Sequence, residues 1–297
     1  MSHHLVGSIV CALIAALLFA VAAVAQQRVA AAVPEGASLI AALARSPRWW
    51  AGLVGDAGGY VMQVAALALG PVLLVQPILV SALVFALPLA ARLNGRRISA
   101  GTWATALALV AALGVFLIVG DPSDGKANAP LGDWLWPCAL LLGLIALAGA
   151  LGLRGNPTRR ALMLGTAGGS LYGLAAALTA CVTAQSSEGL AHLLLNWQTW
   201  ALVVAGLVGF YLQQRAFHAG ALAASMPAVT ITEPLVAAFL GLTVLHERLR
   251  TGGAGLAVLV LAVIVMCVTT IQLSRDQAAD SAADPESDPA PLPSRAP

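Results

Sequence analysis

Glu233 stands immediately before Pro234, in the middle of an apolar stretch (residues 221–244) long enough to cross a bilayer. A charged side chain at that depth persists where it faces a polar interior, pairs with another group, or takes up a proton. Pro234 has no N–H, so a backbone carbonyl near Thr230 loses its helical donor, and the same turn offers a second polar group. An ionisable side chain beside broken backbone at mid-membrane is the arrangement of a substrate or ion site in helical transporters. The competing reading is a protonated acid bonded to the freed carbonyl. Met226, Thr230, Glu233 and Ala237 recur at helical spacing and share one face.

Apart from Glu233, the carboxylate well inside an apolar stretch is Asp56. Its neighbours Gly55, Ala57, Gly58 and Gly59 are small enough to let helices approach closely. Asp56 either joins a polar path or reaches a hydroxyl near the interface; both readings stand. Gln63 and Gln213 fall in the middle of their stretches, where a buried amide needs partners. They serve either as substrate contacts or as hydrogen-bonding glue between helices. Gln76 is similar but nearer the surface. Tyr172 shares a face with Thr179 and Thr183, and is counted with Glu233, Thr230, Gln213, Gln63 and Asp56 as a candidate substrate-binding residue. Arg215 and His218 read as a headgroup anchor.

Little else in the chain does chemistry. There is no Ser-x-x-Lys, Gly-x-Ser-x-Gly, Gly-rich phosphate loop or His-Glu-x-x-His. Cys11, Cys138, Cys181 and Cys267 all lie in apolar stretches without metal-ligand spacing and read as small apolar residues. The chain is therefore expected not to be an enzyme, and to need no cofactor and no resident metal. No Lys/Arg cluster with interleaved aromatics points to nucleic acid.

These residues must be positioned by a membrane scaffold. The 297 residues are 60% hydrophobic and only 9% charged, well below the charge of a soluble domain. Nine stretches meet the length for a spanning helix: residues 5–25, 50–69, 71–91, 101–119, 134–153, 161–184, 197–217, 221–244 and 252–273. The first resembles a signal peptide at Ala23-Val24-Ala25, but it has no basic n-region and is too long. Gly70-Pro71 and the segment 218–220 are tight joints, so spans 2–3 and 7–8 read as hairpins. Seven tryptophans near span ends suggest an interfacial belt. After Leu273 the Ser, Asp, Ala and Pro composition suggests a disordered cytoplasmic tail, 274–297.

Arg28, Arg45 and Arg48 follow span 1, Arg92, Arg96 and Arg97 follow span 3, and Arg154, Arg159 and Arg160 follow span 5. The loop after span 4 is acidic, with Asp121, Asp124 and Asp133 against Lys126. Basic loops stay inside, so the N-terminus is expected outside the cell membrane and the C-terminus in the cytoplasm. Arg248 and Arg250, after span 8, run against that count.

Shifting the chain on itself by about 150 residues, as in a search for transporter halves, matches Trp50-Ala51 with Trp200-Ala201. It also matches Gly59-Tyr60 with Gly209-Phe210, Gln63 with Gln213, Gly70 with Gly220 and Pro77 with Pro227. With a small shift, Leu18-Phe19-Ala20 matches Leu171-Tyr172-Gly173. Equivalent elements lie five spans apart and therefore point in opposite directions. The expected fold is an all-α integral membrane protein with nine transmembrane helices. Residues 1–133 form a first four-helix repeat, 134–160 a connector helix and loop, and 161–273 a second, inverted repeat.

The motif Pro47-Arg48-Trp49-Trp50-Ala51-Gly52-Leu53 resembles the Pro-x-Trp-Trp-x-Gly-Leu motif of NIPA-type magnesium transporters in the drug/metabolite transporter (DMT) superfamily. Val75-Gln76-Pro77-Ile78 is similar to that family's Val-x-Pro-Leu turn. Tyr211-Leu212-Gln213-Gln214-Arg215-Ala216, Met226-Pro227 and His246-Glu247-Arg248-Leu249 resemble second-half motifs. The likeness covers about residues 5–273 and is weakest in the connector. The chain departs from the family pattern at Asn94-Gly95-Arg96-Arg97, which lacks a first-half glutamate, and at Gln213-Gln214, in place of an asparagine-lysine pair. The resemblance implies an EamA-like secondary transporter, moving a small metabolite or drug-like solute by alternating access, with proton coupling through Glu233. A NIPA-like magnesium or divalent-cation permease is the first alternative, and a non-transporting membrane scaffold the second. Its partners would be a small-molecule or cation substrate and the lipid bilayer; a homodimer is compatible with this reading.

Overall fold

The computed structural model describes residues 2–31, 45–93, 97–123, 125, 129–153, 156–219 and 222–282. Asn94, Gly95, Arg96, Asp124, Lys126, Arg154, Gly220 and the tail beyond Ala282 lie outside the described residues.

Helix starts follow local chemistry. The first helix, α1, is Ser2–Ala31. Ser46 accepts the Trp49 N–H and Pro47 supplies a first residue with no donor to satisfy, so α2 runs Pro47–Leu69. Gly70 and Pro71 then turn the chain into α3 (Val72–Leu79) and α4 (Ala82–Leu93). Ser99 caps α5 (Ala100–Gly120), and Pro122–Ser123 form a short strand, β1. After α6 (Leu131–Leu153), Asn156 and Pro157 open α7, Pro157–Ala184. A 3-10 turn (Gln185–Glu188) and α8 (Leu190–Leu195) lead to α9 (Trp197–Ala219) and α10 (Leu222–Thr243). Strand β2 (Arg248–Leu249) and α11 (Ala254–Ala282) complete the described chain.

Among the described residues the protein is all-α apart from one two-residue antiparallel pairing, β1 on β2, in which Pro122 faces Leu249 and Ser123 faces Arg248. Among the described residues, eight helices are long and apolar enough to cross a membrane. Their outer faces carry large apolar side chains, such as Ile118 at 82% exposure and Leu261 of α11 at 61%. Lipid, not water, is the solvent for such faces.

Four details differ from expectation. The seventh expected span, at 197–217, forms a helix of 23 residues but falls outside the eight, because Gln198, Gln213, Gln214 and Arg215 lower its hydropathy. The third span is not continuous: the ladder tightens at Val80 and Ser81, whose N–H groups reach Pro77 O and Ile78 O. Pro77 and Pro88 bracket that break, each removing a donor. The helix α11 passes Leu273 and continues to Ala282, and Thr102 Oγ1 of α5 donates to Asp276 Oδ2 at 2.9 Å. Trp134 is a core residue, 2% exposed and T-shaped against Trp197 at 5.6 Å, because the starts of α6 and α9 pack together. It is no part of an interfacial belt.

Close packing rests on small residues. Gly165, Gly169 and Gly173 of α7 repeat every fourth position and lie against the backbone of α10, at Ser225, Val229 and Glu233. On the first helices, Gly52 and Gly55 of α2 lie against Gln26 and Ala22 of α1.

Contacts define two ends. At one, Ser8 of α1 donates to Ala66 O of α2, Trp134 meets Trp197, and the loop after α5 pairs with the turn after α10. At the other, Gln26 at the end of α1 meets Gln214 at the end of α9, and the start of α5 meets the end of α11. The first end carries Asp121, Asp133 and Glu247; the second carries Arg48, Arg92 and Arg215. Arg250 Nη1 stands 3.8 Å from Asp121 Oδ2, so the basic turn after α10 shares the face of the acidic loop after α5.

Candidate functional site

A cavity of about 630 Å³ lies among α1, α2, the α3–α4 break, α7, α9 and α10. Each of the six residues singled out in the sequence lines it: Asp56 and Gln63 from α2, Tyr172 from α7, Gln213 from α9, and Thr230 and Glu233 from α10. Both acids are half-buried. The rest of the wall is mainly apolar, including Phe19, Leu83, Phe210 and Phe217. No Lys, Arg or His is among the described residues lining it.

The polar groups are held in a defined network. Gln26 Nε2 donates to Asp56 Oδ2 at 2.6 Å, and Gln214 Nε2 donates to Gln26 Oε1 at 3.3 Å, tying α1, α2 and α9 together. Tyr172 donates its hydroxyl to Gln213 Oε1 at 2.8 Å. Thr230 Oγ1 donates back to Met226 O at 2.9 Å, and Pro234, four residues on, has no N–H to offer the Thr230 carbonyl. The Tyr60 hydroxyl lies 2.9 Å from Thr179 Oγ1. Thr179 already donates to Ala175 O, so the tyrosine is the donor in that pair.

The ring of Phe19 lies against α2 where Gly59 has no side chain; a Cβ there would come within 2.7 Å of the ring. Tyr172 lies against α9 at Gly209 in the same manner, with a Cβ 3.3 Å from its ring.

Four residues of this region were missed or given less weight in the sequence. Tyr60 falls one turn beyond Asp56 and one before Gln63, so the spacing on α2 could have found it. Gln76 lines the cavity, and among the described residues its buried Nε2 has no hydrogen-bond partner. Gln26 sits at the end of an apolar run and reads as the start of a loop. Glu247 reads as part of a charged turn, yet it is 5% exposed and its carboxylate accepts the Val72 N–H at 2.7 Å and the Leu73 N–H at 2.8 Å. Among the described residues, no three His, Cys, Asp or Glu side chains gather where they could hold a metal ion.

An all-α protein embedded in a membrane, with a central cavity bearing two carboxyl groups, is the class these features define. The chain is 37% identical over 273 residues to the uncharacterized protein Cgl0250/cg0304 of Corynebacterium glutamicum, covering 89% of this chain and 93% of that one. It belongs to the same family. No family model matches the chain, and no solved structure does.

Proposed function

We propose that the protein is a secondary transporter of the DMT type, EamA-like, moving a small metabolite or drug-like solute with a cationic group across the cell membrane. The observation that carries this reading is the 630 Å³ cavity, walled by both sequence halves and presenting Asp56 and Glu233 in an otherwise apolar surround. A carboxylate in such a wall is stabilised by an organic cation and by a proton in its absence. Exchange of the two at Glu233 would couple transport to a proton gradient.

The transport reading takes α9 as a ninth crossing. Its start packs on Trp134 at the acidic end and its Gln214 bonds Gln26 at the basic end, which supports a helix running the full depth. The basic end is the cytoplasmic one on charge grounds, with the N-terminus outside. Two inverted repeats are supported by matched detail: Phe19 against Gly59 and Tyr172 against Gly209, and Gln63 and Gln213 both on the cavity. The interrupted helix α3–α4 beside the cavity is the kind of backbone that membrane proteins keep where it lines a site. Alternating access would follow from rocking one repeat against the other.

The test is reconstitution into liposomes with parallel flux assays for organic cations, protons and magnesium. Organic-cation flux driven by a proton gradient is expected, with Glu233→Gln and Asp56→Asn folding normally and losing it. Magnesium flux without organic-cation flux would replace this reading with a divalent-cation permease. No flux of any probe would sink it.

A further inference from the structure

A second cavity, of about 530 Å³, opens at the acidic end. It meets the central cavity along two helices. On α2 the wall passes from Gln63 in the central cavity to Leu67 in the second; on α7 it passes from Ala176 to Ala180. Each step is four residues, about 6 Å of rise. The partition is therefore thin, and the Tyr60–Thr179 hydrogen bond joins α2 to α7 next to it.

Glu247 lines the second cavity and fastens its wall. Its two carboxylate oxygens accept the first N–H groups of α3, which have no acceptor inside their own helix. They also carry the positive end of the helix dipole. Gly241 admits the carboxylate: a Cβ there would stand 3.0 Å from Oε2. The turn bearing Glu247 belongs to the second half of the chain and α3 to the first, so these bonds tie the halves together at the acidic end. The corresponding turn of the first half carries no carboxylate, because no Asp or Glu occurs between Asp56 and Asp121.

We propose that the second cavity is the outer mouth of the transport path, taking the same cationic solute, and that Glu247 is the latch that keeps this mouth shut off from the central cavity. The proposal rests on the transport reading above. Halves that rock must break whatever joins them at the closing end, and the paired bonds of Glu247 are such a join. The state described here is the one latched outside; at the basic end the halves meet through the Gln214–Gln26 and Thr102–Asp276 hydrogen bonds.

Sidedness of labelling tests this in the full chain, in oriented liposomes. Cys11, Cys138, Cys181 and Cys267 are replaced by alanine, and Ala82→Cys reports on the central cavity. A membrane-impermeant maleimide should label the parent from the basic side and only slowly from the acidic side. Glu247→Ala should raise the acidic-side rate about tenfold or more, as expected for loss of charge-assisted bonds. Glu247→Gln should raise it less, since its amide oxygen still accepts a hydrogen bond. Should the alanine variant fail to fold, the glutamine variant carries the test. An unchanged acidic-side rate in a folded variant overturns the latch. Solute flux measured on the same liposomes separates the two ideas. Changed sidedness without flux leaves the latch and overturns transport; flux with unchanged sidedness overturns the latch alone.

Discussion

A methyl group added at Gly173 should push α10, and Glu233 with it, away from α7. A Cβ at that position would lie 2.6 Å from Glu233 O, 2.7 Å from Val236 Cβ and 2.9 Å from Ala237 N. Restoring ordinary contact requires the helices to part by roughly 1 Å. Two of the three atoms are backbone and cannot rotate aside, so the cost falls at the upper end of overpacking, about 3 kcal/mol. Alanine in place of glycine returns about 1 kcal/mol of helix propensity, leaving a net loss of about 2 kcal/mol. At about 2–4 °C per kcal/mol for a chain of this size, the midpoint should fall by about 4–8 °C. Thermal unfolding in detergent, read by the monodisperse fraction on size exclusion, measures it. Gly149→Ala on α6 is the control, because nothing lies within 4 Å of its Cβ; it should be neutral or slightly stabilising. A Gly173→Ala protein that melts with the parent, beside a well-behaved control, would refute the claim that α7 and α10 touch backbone to backbone.

Trp134→Ala removes one of the largest fully buried side chains and the ring that Trp197 packs against; a loss of about 3–5 kcal/mol is expected, and a loss below about 1 kcal/mol would return Trp134 to the interface. Gln26→Leu deprives Asp56 of a donor and Gln214 of an acceptor. It should cost about 1–3 kcal/mol and alter solute affinity, whereas unchanged stability and affinity would mean that these side chains are separately solvated.

The acids of the cavity were legible because a carboxyl in an apolar run of twenty residues is conspicuous whatever it does. Gln63 and Gln213 were legible through the repeat, which picks out polar residues against an Ala/Leu background. Glu247 was not, since a glutamate between His246 and Arg248 looks like a solvated turn. Its burial depends on the start of α3, 175 residues earlier in the chain. The interruption at Val80 and Ser81 was hidden for a related reason: both residues are apolar or small, and the prolines that bracket them leave an unbroken hydropathy profile. Trp134 sits at a span end like the other tryptophans, and only the approach of α9 makes it core.

The pairing of α5 with α11 bears on how the chain is made. α5 packs chiefly on α11, and Thr102 bonds Asp276 across 174 positions of sequence. A ribosome feeding this chain into the bilayer releases α5 long before its neighbour exists. Until the final helix arrives, the early helix must rest in lipid, its apolar face toward acyl chains that solvate it well. Any product cut short before residue 254 would leave that helix without its closing contact. A quality-control protease that reads loose helices inside the membrane would thus find its cue in the first half of a chain that lacks its end.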